Sequence, residues 1–206
     1  MSTLVGLTGG MGSGKSLASS YFKDYGAKVI YADDICRQLT EPGQLSWKEI
    51  SQEFGFDYIN QDNSLNRDKI AAEVFKNDEK RVTLENILHP RVLAEEQKLY
   101  ASYCIENPDV LVIIDSALMI ESENYKNVDK VILIKCSIDT QIRRTLERNE
   151  ITKKDVINRI NAQMPLEKKI KYTDYIINND GTREELKSQV YSLFGKLQNL
   201  IENKII

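Results

Sequence analysis

Residues 9–16 read Gly-Gly-Met-Gly-Ser-Gly-Lys-Ser, and they constrain the fold more than any other feature of the chain. They fit the pattern G-x-x-x-x-G-K-[S/T], in which glycines let the backbone turn its N–H groups toward phosphate oxygens. An apolar run precedes the loop and a helical pattern follows it. The sequence therefore predicts a strand, a phosphate-binding loop and a helix that hold a nucleoside triphosphate, rather than a glycine-rich turn with an incidental lysine. The residues predicted to contact the triphosphate here are Gly10, Met11, Gly12, Ser13, Gly14, Lys15, Ser16 and Leu17.

Short apolar runs alternate with helical patterns along the chain, which predicts an α/β fold with a parallel sheet. The runs at 110–114 and 131–134 contain no alternating polar residues, as expected for strands that are buried on both faces. In open sheets of this kind, ligands bind beyond the carboxyl ends of the strands. We therefore expect a P-loop NTPase-type sheet of five strands flanked by helices. The predicted strands are Leu4–Thr8, Lys28–Ala32, Val110–Asp115, Lys130–Lys135 and Tyr175–Ile177.

No composition shift or flexible linker divides the chain, so its 206 residues are expected to form one domain. Residues 1–34, 108–139 and 166–206 are predicted to form the nucleotide-binding core, which ends in a helix packed on the sheet. Residues 35–107 are predicted to form a helical insertion on the substrate side. It contains one helix through Arg67–Phe75 and another to Tyr103 that begins at Asp78 or at Pro90. A charged helical stretch runs through Thr140–Gln163, and residues 140–165 are predicted to form a mobile lid.

The net charge of −3 comes from interspersed acids and bases, which argues against nucleic acid or a membrane surface as the partner. The apolar runs are too short to span a bilayer, and no signal-peptide pattern is present. The three cysteines form no C-x-x-C pair, so neither zinc nor redox chemistry is indicated. We expect a cytoplasmic protein with a small anionic ligand, either a monomer or a small homo-oligomer.

Carboxylates follow two of the predicted strands. Asp33 and Asp34 come after the second strand, where one of them could accept a proton from an acceptor hydroxyl. A helix cap is an equally good reading of either residue. Asp115 closes the third strand and, together with Ser16, is predicted to ligate magnesium, although strand ends are also often polar because they reach solvent.

Basic residues elsewhere could contact anions. Arg144 and Arg148 have i, i+4 spacing and are predicted to share a helix face that brackets phosphates; a solvated face with Glu147 ion pairs is the alternative. Arg67 is poorly placed for the dipole at a helix start, which suggests contact with an anion. His89, the one histidine, precedes Pro90 at a predicted helix start, so we interpret it as a cap or a substrate contact.

Over nearly its whole length the chain resembles the dephospho-coenzyme A kinase family. The matching segments occur in family order, and Asn178 or Asn179 resembles the family's adenine-side segment. One departure is Tyr31, which stands where the family has the first acid of an Asp-Ala-Asp segment; another is Met119-Ile120 in place of leucine and phenylalanine. The segments that carry the resemblance are 6–16, Ala32-Asp33, Leu65-Asn66-Arg67, Val74-Phe75, Leu84-Glu85, His89-Pro90, 115–121, Gln141, Arg144, Arg148, Arg159, Gln163, Asp174 and Gly181.

The resemblance implies transfer of the γ-phosphoryl group of ATP to the ribose 3′-hydroxyl of dephospho-coenzyme A, with Mg²⁺ as cofactor. It implies Asp33, Lys15 and Arg144 as catalytic residues, with Arg148 and Asn178 as further contacts to ATP. The implied substrate-binding residues are Asp33, Arg67, His89 and Leu118. A different P-loop kinase, acting on a nucleoside, a nucleoside monophosphate or a small alcohol, is the nearest alternative, and a nucleotide-dependent switch is a more distant one.

Overall fold

The computed structural model describes residues 2–148 and 151–203. One sheet of five parallel strands lies at its centre, in the order β2-β3-β1-β4-β5. The predicted five-stranded parallel sheet is confirmed, and no predicted strand end lies more than one residue from the observed one. The strands are β1 (Thr3–Gly9), β2 (Lys28–Tyr31), β3 (Leu111–Asp115), β4 (Lys130–Lys135) and β5 (Tyr175–Asn178).

Strand β1 occupies the middle of the sheet, between β3 and β4. Leu7 of β1 pairs with Asp115 of β3, and Gly9 pairs with Ile134 of β4. Every residue of β1 and β3 is buried, as their continuous apolar sequences predict. The loop after β1 therefore begins at the centre of the carboxyl edge, where ligands bind in such sheets.

Helices connect the strands, and the helices that follow β1 and β5 pack on the sheet. Ala18 and Phe22 of the first helix belong to the same buried cluster as Val5 and Leu7 of β1. The helices in the described residues are α1 (Lys15–Asp24), α2 (Ala32–Leu39), α3 (Leu45–Phe54), α4 (Arg67–Lys76), α5 (Asp78–Glu106), α6 (Ile138–Leu146), α7 (Lys153–Asn161), α8 (Leu166–Lys169) and α9 (Arg183–Asn203).

The last helix, α9, packs on the sheet as predicted. Its apolar residues recur every three or four positions and so form one stripe along the helix. This stripe joins the buried cluster that contains β-strand residues such as Ile132 and Ile134. The buried residues of the stripe are Leu186, Val190, Leu193, Leu197 and Ile201.

The chain forms two compact units, residues 1–31 with 99–206 and residues 32–98. The first contains the sheet. The second is helical, overlaps most of the segment predicted as an insertion, and contributes no strand to the sheet. Ile50, Phe54, Leu65 and Ile70 form the buried core of this second unit. Each unit therefore has an apolar core of its own.

Helix α5 begins at Asp78, one of the two predicted starts, and continues through Pro90. The side chain of Asn77 caps it by accepting from the N–H groups of Glu79 and Lys80, both at 3.1 Å. A proline inside a helix lacks an N–H and leaves a carbonyl of the preceding turn without its partner. That carbonyl belongs to Asn86, four residues before Pro90, and Arg91 Nη1 donates to the neighbouring Ile87 carbonyl at 2.6 Å.

The segment 140–163, predicted as one helical stretch, contains two helices, α6 and α7, and residues 149–150 between them lie outside the described part of the chain. Ser137 caps α6 by accepting from the Thr140 N–H, and Thr152 caps α7 by accepting from the Asp155 N–H. Within the described residues, no helix combines the length and the apolar character that are needed to cross a bilayer.

Candidate active site

The phosphate-binding loop connects Gly9, the last residue of β1, to Lys15, the first residue of α1. Gly12 and Gly14 have φ values of +71° and +91°, in the left-handed region that residues with a Cβ rarely adopt. The Ser13 N–H donates to the Gly10 carbonyl at 3.1 Å and closes the turn. The predicted strand, loop and helix are therefore present, and the N-terminus of α1 faces the loop.

Helix α6 packs directly against this loop, and the glycines make the close approach possible. A Cβ on Gly10 would lie 2.9 Å from Gln141 Oε1. A Cβ on Gly12 would lie 2.6 Å from the Gln141 carbonyl oxygen and 2.7 Å from Thr145 Oγ1. These separations are shorter than van der Waals contact. The glycines therefore serve the packing of α6 as well as the turn of the loop.

Asp115, at the end of β3, lies beside the first turns of α1. Its carboxylate contacts Lys15 Nζ and accepts a hydrogen bond from Ser19 Oγ. Lys15 and Ser19 are four residues apart and so share one face of α1. Ser16 is exposed in the first turn, three residues before Ser19. The structure thus brings together two residues that the sequence predicted separately, Lys15 and Asp115.

Two carboxamide side chains contact the loop from outside. Gln163, which follows α7, accepts from the Met11 N–H through Oε1 at 3.0 Å. Asn179, which follows β5, donates from Nδ2 to the Ser13 carbonyl at 2.7 Å. The side chain of the neighbouring Asn178, which the resemblance implied as an ATP contact, is exposed, and its backbone bonds to Gln189.

Arg144 is held on α6 by the backbone of the segment after β5. Its Nη1 donates to the Asn179 carbonyl at 2.8 Å, and its Nη2 donates to the Gly181 carbonyl at 3.4 Å. A guanidinium has five N–H donors, so these contacts leave others for an anion. Arg144 is half-buried beside the end of the phosphate-binding loop. It is therefore oriented by protein contacts at the place where phosphate oxygens are expected.

The prediction that Arg144 and Arg148 share a helix face is wrong. Helix α6 ends at Leu146, and the Arg148 N–H bonds to the Thr145 carbonyl at 3.3 Å, in the tighter three-residue spacing common at helix ends. Arg148 is exposed. Arg143 pairs with Glu147 at 3.6 Å on the exposed side of the helix, as the alternative reading of this stretch expected.

Asp180 fixes the start of α6 to the same segment after β5. The Ser137 N–H and hydroxyl donate to its carboxylate at 2.9 Å and 2.8 Å. These hydrogen bonds hold the pKa of the Asp180 carboxyl below its usual range, and the charge of Arg144 acts in the same direction. Both the start of α6 and its face at Arg144 are therefore tied to residues 179–181.

The segment after β3 carries Leu118, which the resemblance implied as a substrate contact, and 47% of its surface is exposed. The same segment is anchored by Lys169, which is fully buried. Lys169 Nζ donates to Glu121 Oε1 and to the Ala117 carbonyl, both at 2.9 Å. An exposed apolar side chain next to a fixed backbone is suited to contact a ligand.

Two residues that the resemblance implied as substrate contacts, Asp33 and Arg67, lie in the helical unit at residues 32–98. Asp33 is exposed in the first turn of α2. Arg67 begins α4, and its Nη2 donates to Thr40 Oγ1 at 2.7 Å. Burial raises the pKa of the Cys36 thiol, although Arg67 beside it acts in the opposite direction. Arg67 therefore contacts Thr40, the residue after α2, and lies beside Cys36 of α2.

The interpretation of His89 as a helix cap is wrong, because His89 lies in the middle of α5 and is half-buried. A residue inside a helix has no exposed terminal N–H groups to cap. Its predicted contact with substrate is a separate question, and it stays a prediction.

Three residues with contacts in this region had no assigned role from their sequence: Asn179, Gln163 and Lys169. Asn179 and Gln163 had appeared only as matches to the family pattern, and Lys169 had not been singled out. A lysine in a polar stretch such as 167–171 reads as solvent-exposed, so no local signal marked Lys169. Their roles depend on which distant segments the fold brings together.

Comparison with known proteins matches the chain to one family. The family model described as CoaE, dephospho-CoA kinase, covers residues 3–185. A dephospho-CoA kinase from Bacillus cereus is 38% identical over 190 residues, which cover 92% of this chain and 94% of that protein.

Solved structures show the same fold. A structure titled TT1252, from Thermus thermophilus, is 25% identical and has a TM-score of 0.79, with 95% of this chain and 97% of that one covered. A dephospho-CoA kinase from Campylobacter jejuni is 24% identical and has a TM-score of 0.68, with 97% and 98% covered. At 24% identity, the similarity to the Campylobacter jejuni protein is evidence for the fold alone.

Proposed function

The chain belongs to the dephospho-CoA kinase family, and we propose that it transfers the γ-phosphoryl group of ATP to the ribose 3′-hydroxyl of dephospho-coenzyme A. The products are coenzyme A and ADP, which completes the synthesis of coenzyme A. The observation that carries the proposal is the match to the family over residues 3–185, combined with a phosphate-binding loop whose Lys15 lies beside Asp115.

Residues 10–17 bind the triphosphate through backbone N–H groups of the loop and of the first turn of α1. Lys15 donates to the β- and γ-phosphates. Because an ammonium has three N–H donors, Lys15 can contact Asp115 and phosphate oxygens together. Its positive charge offsets the charge that spreads over the equatorial oxygens during transfer.

Ser16 and Asp115 are proposed to hold Mg²⁺. A hydroxyl and a carboxylate are hard oxygen donors of the kind this ion prefers, and phosphates and water complete such sites. The contact between Asp115 and Ser19, three residues after Ser16 on α1, supports the pairing of these two donors. A Mg²⁺ ion held by these two residues would neutralise part of the charge of the triphosphate.

Asp33 is the proposed base for the acceptor hydroxyl. It is the second residue after β2, whose last residue, Tyr31, pairs with Asp115. Its exposed carboxylate in the first turn of α2 supports this role. Arg67, His89 and Leu118 are the other proposed contacts of dephospho-coenzyme A, with Arg67 donating to its anionic groups.

Arg144 and Arg148 are proposed to contact the phosphates of ATP from the lid, residues 140–165. Phosphoryl transfer depends mainly on positioning and on charge, which are what an oriented guanidinium supplies. The contacts of Arg144 with the backbone at 179 and 181 support its role, and Arg148 contributes from the turn after α6. Asn178 remains a proposed ATP contact from the end of β5.

We further propose that the enzyme works in the cytoplasm as a monomer or a small homo-oligomer. The three cysteines all lie within the described residues and carry free thiols, which suits a reducing compartment. Size-exclusion chromatography with light scattering measures the oligomeric state.

A turnover assay tests the function. The enzyme is incubated with Mg-ATP and dephospho-coenzyme A, beside AMP, CMP and a sample without acceptor, and the products are identified by mass spectrometry. We expect coenzyme A and ADP in equal amounts, with no comparable product from the other acceptors. Phosphorylation of a different acceptor would instead support another P-loop small-molecule kinase, and nucleotide binding without any transfer would support a switch.

A further inference from the structure

Asn179 connects three parts of the first unit with its own backbone and side chain. Its N–H donates to the Lys135 carbonyl at the end of β4, at 2.8 Å. Its Nδ2 donates to the Ser13 carbonyl at 2.7 Å, and its carbonyl accepts from Arg144 Nη1 at 2.8 Å. Only 4% of the residue is exposed. Asn179 therefore contacts the phosphate-binding loop through its buried carboxamide and Arg144 of α6 through its backbone carbonyl.

The contact with Ser13 determines the direction of an N–H group in the loop. The peptide bond between Ser13 and Gly14 is planar and trans, so its carbonyl and its N–H point in opposite directions. The Ser13 carbonyl points at Asn179. The Gly14 N–H consequently points away from Asn179, to the opposite side of this peptide.

The contact between Asn179 and Ser13 requires a glycine at residue 14. A Cβ at residue 14 would lie 2.1 Å from Asn179 Nδ2, and the φ of +91° also disfavours a side chain. The glycine required by the sequence pattern thus admits the carboxamide of Asn179 at the back of the loop. Glycine is therefore required at residue 14 by the contact with Asn179 as well as by the approach of phosphate.

We infer that Asn179 is a positioning residue for phosphoryl transfer, which orients the Ser13–Gly14 peptide toward phosphate and holds Arg144 in the same arrangement. The inference deepens the proposed function and rests on it. The side chain of Asn179 acts through the loop, and its backbone carbonyl holds Arg144. Its loss is therefore expected to weaken recognition of the outer phosphates specifically.

The test compares Asn179→Ala and Asn179→Asp with the unmodified enzyme. Both variants leave the Ser13 carbonyl without its donor, and Asp places a second acceptor beside it. Isothermal titration calorimetry measures the dissociation constants of ATP and AMP, and steady-state assays measure kcat and KM. We expect ATP to bind about tenfold to a hundredfold more weakly, the cost of orphaning a buried polar group. AMP, which lacks the β- and γ-phosphates, should change by less than about threefold.

Gln189→Ala is the matched control. The Gln189 carboxamide also bonds to backbone in this segment, at Asn178, the last residue of β5, and it has no bond to the phosphate-binding loop. General loosening of this segment would weaken ATP binding in Gln189→Ala as well. A merely structural role for Asn179 would lower the thermal midpoint but leave the ratio of ATP to AMP affinity unchanged at temperatures well below it. Either result would overturn the inference.

Failure of the inference is distinguishable from failure of the proposed function. If the unmodified enzyme makes no coenzyme A, the function is wrong. If it makes coenzyme A and the Asn179 variants bind ATP with unchanged affinity, the inference alone is wrong.

Discussion

At the scale of single residues, Lys15 and Asp115 carry opposite charges in the proposed nucleotide site, and they contact each other. Asp115 is buried, and both its oxygens have partners, Lys15 Nζ and Ser19 Oγ. A buried carboxylate is stable only with such donors. The Lys15 ammonium and the Asp115 carboxylate are therefore oriented by each other as well as by the strand and helix that carry them.

Replacing Asp33 by Ala should lower kcat by about a hundredfold to ten-thousandfold and change the KM for ATP by less than about twofold. The expected loss is that of a general base, which does not bind the nucleotide. The measurement is steady-state kinetics with Mg-ATP and dephospho-coenzyme A. Asp34→Ala is the matched control, because Asp34 is an exposed neighbour that pairs with Arg37 at 3.4 Å. Equal losses in the two variants would contradict the assignment of Asp33.

Cys136 should react slowly with iodoacetamide in the folded protein. Burial raises the pKa of this thiol to about 11, although Arg144 acts in the opposite direction. At pH 8 about one thiol in a thousand is then the reactive thiolate. Because a higher pH increases the thiolate fraction, the rate should rise about tenfold between pH 7 and pH 8 and again between pH 8 and pH 9.

Peptide mass spectrometry resolves the alkylation of Cys136 from that of the other cysteines. The urea-unfolded chain is the control, in which Cys136 should react at the rate of an ordinary thiol. Rapid labelling of Cys136 in the folded enzyme at pH 7 would contradict its burial.

At the scale of elements, the short helix α8 is fastened to the segment after β3 by Lys169. The Ala117 carbonyl that accepts from Lys169 also accepts from Thr8 Oγ1 of β1, at 3.1 Å. Glu121 accepts from Lys169 and from the Met164 N–H at 3.0 Å. One buried ammonium therefore links α8, the segment that carries Leu118, and the strand that precedes the phosphate-binding loop.

Replacing Lys169 by Met should lower the free energy of unfolding by about 3–5 kcal/mol, because Glu121 would keep a partly buried charge without its partner. Urea unfolding followed by circular dichroism measures the change. Lys168→Met is the control, since Lys168 is an exposed neighbour whose replacement should matter by less than about 0.5 kcal/mol. The double variant Lys169→Met with Glu121→Gln should regain part of the loss. Equal stability of the two single variants would show that the buried pair contributes nothing.

At the scale of the whole molecule, the proposed nucleotide site is assembled from segments that are far apart in the chain. The phosphate-binding loop follows β1, Asp115 ends β3, Arg144 lies on α6, and Asn179 follows β5. An unfolded chain brings none of these together. A ligand of this site therefore binds the folded state alone and should stabilise it in proportion to its affinity.

ATP should raise the thermal midpoint of the enzyme. At a concentration one hundred times its dissociation constant, it should add about 2.7 kcal/mol to the free energy of unfolding. Differential scanning calorimetry with ATP and with AMP gives the comparison, and AMP at equal concentration should raise the midpoint less. Lys15→Ala should reduce the effect of ATP strongly. An equal rise with ATP in the Lys15→Ala variant and the unmodified enzyme would contradict the loop as the binding site.

Local sequence determined the elements on which the site is built. Continuous apolar runs such as 110–114 can be buried on both faces only as central parallel strands, and the predicted strand ends agree with the structure to within one residue. The phosphate-binding loop could be predicted because its glycines have a local cause, the positive φ values of Gly12 and Gly14. The expected reaction came from the resemblance to the family, because neither hydrophobic periodicity nor motif spacing identifies a reaction.

Tertiary structure decided how long the elements are and what they contact. Sequence alone did not show that α6 ends before Arg148, or that α5 passes through Pro90, where Arg91 donates to the Ile87 carbonyl. The roles of Asn179, Gln163 and Lys169 arise from bonds to residues 52 to 166 positions away in the chain. Buried polar side chains form hydrogen bonds with the backbone groups that the fold brings near them. The residues adjacent in the sequence do not indicate which distant groups these will be.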